Sequence, residues 1–301
     1  MLFDRIRSPF ALALILSAGC CMTYPKRDRV TDYDLSQPDN SLILPDTLRE
    51  ISGITDIDSV TIACIQDENG IVFIYNLLEN RLTGQYPFSL DGDYEGITRV
   101  GNTMYILRSD GVLLEITDHD RSDFNVITYL TNIPANDNEG LCYDPFGNRL
   151  LIASKGKIGK GPEFKNKRVI YEFDLRSKKL TEEPVFDLDL ELIKAFAIEN
   201  NISLPTKALK KKGETVTEPF IKFMTSAIAV HTASKKLYLL SASDHLFFVF
   251  SMSGEIEHIE PLNPELFNKA EGITFLKNHD MIITNEGEDG KATLLKFNYR
   301  K

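Results

Sequence analysis

Three glutamates stand directly before a glycine in one recurring pattern. They are Glu95-Gly96-Ile97-Thr98, Glu139-Gly140-Leu141-Cys142 and Glu271-Gly272-Ile273-Thr274. Carboxylates held in a common backbone setting supply hard oxygen ligands, and hard oxygens suit calcium or magnesium. Asn138, next to Glu139, adds another oxygen of the same kind. A second acidic set, Asp67, Glu68, Asp110, Asp244, Glu286, Glu288 and Asp289, follows short apolar runs, and Glu50 extends the first set. Lys155 interrupts this acidic series in the third repeat. Carboxylates that converge raise one another's pKa unless a cation neutralises them. A divalent cation, calcium first, is therefore expected at Glu95, Glu139 and Glu271. The plainer reading, in which each glutamate caps a backbone group or faces water, stays open beside it.

Other chemistry-bearing patterns are poor. The histidines, His119, His231, His245, His258 and His279, show no metal-ligand spacing on one strand, although His231 and His245 belong to one repeat and could meet. There is no GxSxG elbow, no Walker loop and no dinucleotide fingerprint. The run 156–161 (GKIGKG) lacks the Lys-Ser/Thr ending of a phosphate loop. Cys64 and Cys142 lie inside apolar runs and read as buried thiols, a disulfide between them being the lesser alternative. Catalytic residues are unknown at this level.

The elements that position the glutamates form a repeat. The pattern recurs as Ser52-Gly53-Ile54-Thr55 and Ser226-Ala227-Ile228-Ala229, so its small residue falls at 53, 96, 140, 227 and 272. The steps are 43, 44, 87 and 45 residues. A period near 44 fits four short strands with their turns, which is one β-propeller blade. A second strand follows each motif, at 60–65, 103–107, 149–153, 236–240 and 280–284. A third, alternating strand follows at 71–77, 112–117, 169–175, 246–251 and 292–297. Glycine suits inner strands that crowd around a channel.

The expected fold is an all-β propeller of five blades, six being the alternative because the 87-residue step is nearly two periods. The last repeat ends after its third strand, so the run 40–45 (NSLILP) is expected to supply the fourth and close the ring. Within the long step, Leu188, Leu192, Ile193 and Phe196 have helical spacing, which predicts a helical insertion in the third blade, over 176–224. Two basic clusters sit in and before it: Lys155, Lys157, Lys160, Lys165, Lys167 and Arg168, then Lys207, Lys210, Lys211 and Lys212. They read as solvated loops or as a contact to anionic lipid headgroups, polysaccharide or a partner.

The beginning of the chain reads as an address. Arg5 and Arg7 precede a short apolar core over 10–16, and Ser17-Ala18-Gly19 lead into Cys20. That order is an export signal. It resembles the lipobox of bacterial lipoproteins, which implies cleavage before Cys20 and lipid attachment to it. The expected division is a signal peptide at 1–19, a lipid anchor and polar tether at 20–39, and the propeller at 40–301. The composition agrees with a folded, exported domain: 301 residues, 43% hydrophobic, 26% charged, net charge −10. The acidic balance argues against nucleic acid as a main partner.

From about residue 45 to the end, the motif order Ser-Gly, Glu-Gly, Glu-Gly, Ser-Ala, Glu-Gly resembles the SdiA-regulated domain family of YjiK-like β-propellers. The segments Asn138-Glu139-Gly140-Leu141, Ala270-Glu271-Gly272-Ile273-Thr274, Leu237-Tyr238-Leu239-Leu240-Ser241 and Ser243-Asp244 carry the same resemblance. Ala227 and the long basic insertion depart from it. The resemblance implies an exported propeller in the bacterial cell envelope with no settled biochemical activity. Two function classes remain. One is a non-catalytic binding module, whose partner is an envelope protein, a polysaccharide or a small molecule. The other is a metal-dependent hydrolase of a phosphoester or lactone.

Overall fold

The computed structural model describes residues 32–118, 124–135, 137–211 and 214–300. The expected signal peptide, Cys20 and most of the expected tether lie outside these residues, as do His119 and Lys212. Among the described residues no helix is long and apolar enough to cross a membrane.

Four-stranded antiparallel sheets repeat around a ring of five blades. The innermost strands are Ile51–Asp56, Tyr94–Val100, Asn138–Asp144, Ala227–His231 and Ala270–Phe275, and each touches its two neighbours so that the ring closes. Strand alternation explains the packing. Successive side chains of one blade point to opposite faces, and each face meets the adjoining blade. Five buried apolar clusters result, one at each blade–blade boundary.

The closing strand forms as the repeat arithmetic requires. Asn40–Ile43 pairs antiparallel with Thr293–Phe297, Ser41 opposite Leu295, and completes the fifth blade. Residues before the expected tether boundary at 39 also pack against the propeller, however. Tyr33 and Leu35 are buried in the cluster between blades four and five. The Tyr33 hydroxyl donates to the His279 carbonyl at 2.6 Å and lies 3.1 Å from His231 Nε2.

The third blade carries the helical insertion, but with different limits. Lys179–Leu180 and Phe186–Asp189 both pair with Lys167–Asp174, so together they serve as the fourth strand. The insertion proper therefore starts near 190 rather than 176. It holds the helix Leu190–Glu199 and the hairpin of Thr206–Lys211 with Glu214–Pro219. Asp189 caps the helix by accepting from the Glu191 amide at 2.8 Å. The buried face is Leu190, Ile193 and Ala197; Leu188 sits on the preceding strand and Leu192 is exposed. Arg168 fastens the return segment to the blade. Its buried guanidinium donates to the Phe223 carbonyl at 2.8 Å and to that of Lys222.

Candidate site at the channel mouth

A β-bulge sets the direction of each glutamate. In blade two, Tyr94 pairs with Arg108 and Gly96 with Leu107, which leaves Glu95 as the extra residue. Glu139 and Glu271 occupy the same place in blades three and five, and Ser52 in blade one. A bulge leaves its extra residue unpaired and re-aims its side chain. The glycine that follows is forced by crowding. A Cβ on Gly96 would lie 2.6 Å from Leu141 Cβ, and one on Gly53 would lie 2.9 Å from the Ile97 amide nitrogen. Blade four, with Ala227 in place of glycine, pairs in unbroken register.

The motif residues divide into two roles around the ring. Ser52 donates to the Tyr94 carbonyl at 2.7 Å and Ser226 to that of Ala270 at 2.6 Å, each tying its blade to the next. Glu95, Glu139 and Glu271 line a small axial cavity with them, about 10 Å³ in volume, which is room for about one water-sized species. Below it, Ile54, Ile97, Leu141, Ile228 and Ile273 line both this cavity and a wider one of about 380 Å³ at the opposite end of the channel. That aliphatic ring separates the two ends.

The electrostatics of the three glutamates are strained in the same sense. Burial pushes Glu139 up to about 9, with Glu271 and Glu95 adding repulsion and Lys155 opposing it. Burial pushes Glu95 up to about 8, reinforced by Asp93 and Glu271. Glu271 rises to about 7 through burial, against the pull of Lys269 and Lys155. Neighbouring Asp67 rises to about 6, from burial and then from Glu50, Glu286 and Glu68. Groups coupled this closely titrate together. Lys155 is the internal counter-ion: it pairs with Glu139 Oε1, and the surrounding carboxylates hold its ammonium charged. Lys269 pairs with Glu286 and lies 4.0 Å from Glu271.

One feature of the cluster is unsatisfied. Glu139 is 3% exposed, yet its Oε2 has no hydrogen-bond partner. Asn138 is fully buried; its Nδ2 donates to the carbonyls of Ser109 and Ala135, both at 3.0 Å, while its Oδ1 is also without a partner. Orphaned buried oxygens cost roughly 1–3 kcal/mol each. Ligand atoms of Glu95, Asp137 and Glu139 all lie within 4.8 Å of one another.

The expected triad is therefore only partly the geometric one. Glu95 and Glu139 come together with Asp137, while Glu271 joins through the field of the cluster. Asp137 was missed, although Asp137-Asn138-Glu139 places three consecutive oxygen-bearing side chains ahead of Gly140. Glu50 does not take a motif position, which in blade one belongs to Ser52. Several of the outer acidic residues are structural. Asp244 accepts from the Lys222 and Phe223 amides and the Ser241 hydroxyl, and Asp110 pairs with Arg108 at 2.5 Å. His231 and His245 do not meet. His231 is buried against Tyr33 and His279, and burial lowers it to about 4, whereas His245 Nδ1 faces the Phe267 carbonyl. Cys64 and Cys142 are free, buried thiols.

No family model matches the sequence, and no curated protein matches it. The fold is similar to that of Myxococcus xanthus glutaminyl cyclase, with a TM-score of 0.55, 11% identity, and coverage of 87% of this chain and 95% of that one. It is equally similar to the PQQ-bound aldose sugar dehydrogenase of Streptomyces coelicolor, with a TM-score of 0.55, 10% identity, and coverage of 87% and 97%. At such identities the likeness establishes the β-propeller fold alone.

Proposed function

We propose that this propeller is a non-catalytic binding module that holds a divalent cation, calcium first, at its acidic channel mouth. The observation that carries the reading is the unpartnered Oε2 of buried Glu139 within a carboxylate cluster in which Glu95, Glu139 and Glu271 are pushed toward neutrality. The donor set is all hard oxygen: Glu95, Asp137 and Glu139, with Glu271 supplying charge nearby. Lys155 neutralises part of this charge, which favours modest rather than tight affinity. The competing reading is a metal-dependent hydrolase of a phosphoester or lactone. The axial cavity beside the glutamates, about 10 Å³, has no room for such a substrate next to an ion. A lipid attached at Cys20 would place the module in the bacterial cell envelope, in keeping with the SdiA-regulated resemblance.

The test is thermal. Extracellular calcium modules bind at about 10⁻⁴ to 10⁻³ M. At about 1 mM calcium, a Kd of about 10⁻⁴ M stabilises the folded state by about 1.4 kcal/mol. For a domain of this size that raises Tm by roughly 2–5 °C. The expected shift is larger at pH 8 than at pH 5, where protons compete, and Glu139→Gln reduces it. Identical melting curves in calcium, magnesium and chelator at pH 8 sink the cation. Calcium-dependent turnover of p-nitrophenyl phosphate or a simple lactone replaces the binding module with the hydrolase. Palmitate labelling that survives Cys20→Ala removes Cys20 as the anchor.

A further inference from the structure

The folded insertion brings Lys157, Lys165 and Arg168 of the first basic cluster, Lys207 of the second and Lys222 of the return segment around one cavity of about 910 Å³. Its walls are the loop between the second and third strands of blade three, one side of the helix Leu190–Glu199, the hairpin, and the return segment 219–224. The volume lies at the upper end of the range for small-molecule sites. Two of its cations are already engaged: Arg168 by backbone carbonyls, and Lys194 by Glu191 at 2.8 Å. Among the described residues, no ion pair reaches Lys157, Lys165 or Lys222, which also line the cavity. Glu191 and Glu218 are the acidic residues in the lining. Three uncompensated ammonium groups converge here on a chain whose net charge is −10.

The rest of the lining is apolar. Ile198 is 61% exposed on the helix, and Leu209 and Phe220 contribute from the hairpin and its exit. Lys207 Nζ sits over the Phe220 ring, 5.1 Å from its centroid, so its charge borders the apolar wall directly. A simple inorganic anion would leave that wall wet. An apolar molecule would leave the lysines without a counter-charge.

We infer that this cavity binds an amphiphilic organic anion, a phosphate or carboxylate head on an apolar body, with the head against Lys157, Lys165 and Lys222 and the body against Ile198, Leu209 and Phe220. Such a head can belong to a free molecule or to a lipid in a bilayer, and a volume of about 910 Å³ is enough to take up a free molecule.

The probe is decyl phosphate, kept below its micelle concentration and titrated by calorimetry, with methyl phosphate, decanol and phosphatidylglycerol vesicles as comparisons. The expected result is saturable one-to-one binding of decyl phosphate, at least tenfold tighter than methyl phosphate or decanol and weakened by salt. Lys165→Gln with Lys222→Gln, both at exposed positions, should weaken it at least tenfold with Tm unchanged. Ile198→Asn should weaken decyl phosphate but leave methyl phosphate as it was. The inference is overturned by an absence of saturable binding, by equal affinity for methyl phosphate, by indifference to all three substitutions, or by binding to vesicles without binding to the monomer.

Discussion

The acidic channel mouth and the basic insertion are both charged, yet they are built in opposite ways. At the mouth, the repeat forces carboxylates inward. Each follows from a bulge beside a glycine, and burial is the largest cause of each glutamate's shift. Around the basic cavity, the lysines project from a loop of blade three, the added hairpin and the return segment, and Lys157, Lys165 and Lys222 are exposed. Charge at the mouth is thus coupled to the stability of the ring, while charge in the insertion can change with little effect on folding. A site of the first kind should show itself in melting curves. A site of the second kind should show itself only in binding.

The largest expected effect tests the ring that both regions depend on. A chain starting at Asp46 loses Asn40–Ile43 and the buried Tyr33 and Leu35, leaving the edge of Thr293–Phe297 unpaired. Compared with a chain starting at Thr31, it should melt at least 10 °C lower or fail to fold, by circular dichroism. Equal melting temperatures would remove the closing strand from the account.

Next in size is the internal counter-ion. Lys155→Met leaves Glu139 buried without its ammonium partner. The expected loss at pH 10, above the folded pKa of Glu139 at about 9, is about 2–4 kcal/mol, discounted for the partly exposed lysine. At pH 6 the loss should be smaller, because a protonated Glu139 no longer needs the pair. Denaturant unfolding at the two pH values measures the difference, and a loss independent of pH would contradict the buried-charge explanation.

The sign of the pH dependence follows from the same groups. Each glutamate has a folded pKa raised above its unfolded value, so the folded state binds more protons between about pH 4.5 and 9. Stability from this cluster is therefore present at low pH and lost as pH rises. His231, lowered to about 4, acts oppositely below about pH 6.5. Without divalent cations, Tm should fall by several degrees from pH 6.5 to 9. The triple variant Glu95→Gln, Glu139→Gln, Glu271→Gln should flatten that fall, and an unchanged slope would place the titration elsewhere.

Glycines give the sharpest paired comparison. Gly96→Ala drives a Cβ into Leu141 Cβ and the Glu139 carbonyl, at 2.6 and 3.1 Å, and should cost about 1–3 kcal/mol. Gly156→Ala, at the edge of the basic cavity, meets nothing within 4 Å and should change stability by no more than about 0.5 kcal/mol. Equal effects would mean that the axis is no more tightly packed than the insertion.

Five blades, the closing strand and the inward glutamates were legible along the chain because each rests on a local signal repeated at one period. Strand alternation, a glycine where backbones crowd, and a final repeat one strand short are all properties of neighbouring residues. The tertiary structure decided what depends on distance through space. The pairing of Glu139 with Lys155, the replacement of Glu271 by Asp137 in the tight donor group, and the burial of Tyr33 join residues that no periodicity relates. The same holds for the basic cavity. Lys165 and Lys222 are 57 positions apart in the chain, and they line one space because Phe186–Asp189 completes the blade and turns the helix back across it. Periodicity specifies which face a side chain takes on its own element. Which foreign side chain meets it is set by how the elements pack, and that is where the charges of both sites acquire or lack their partners.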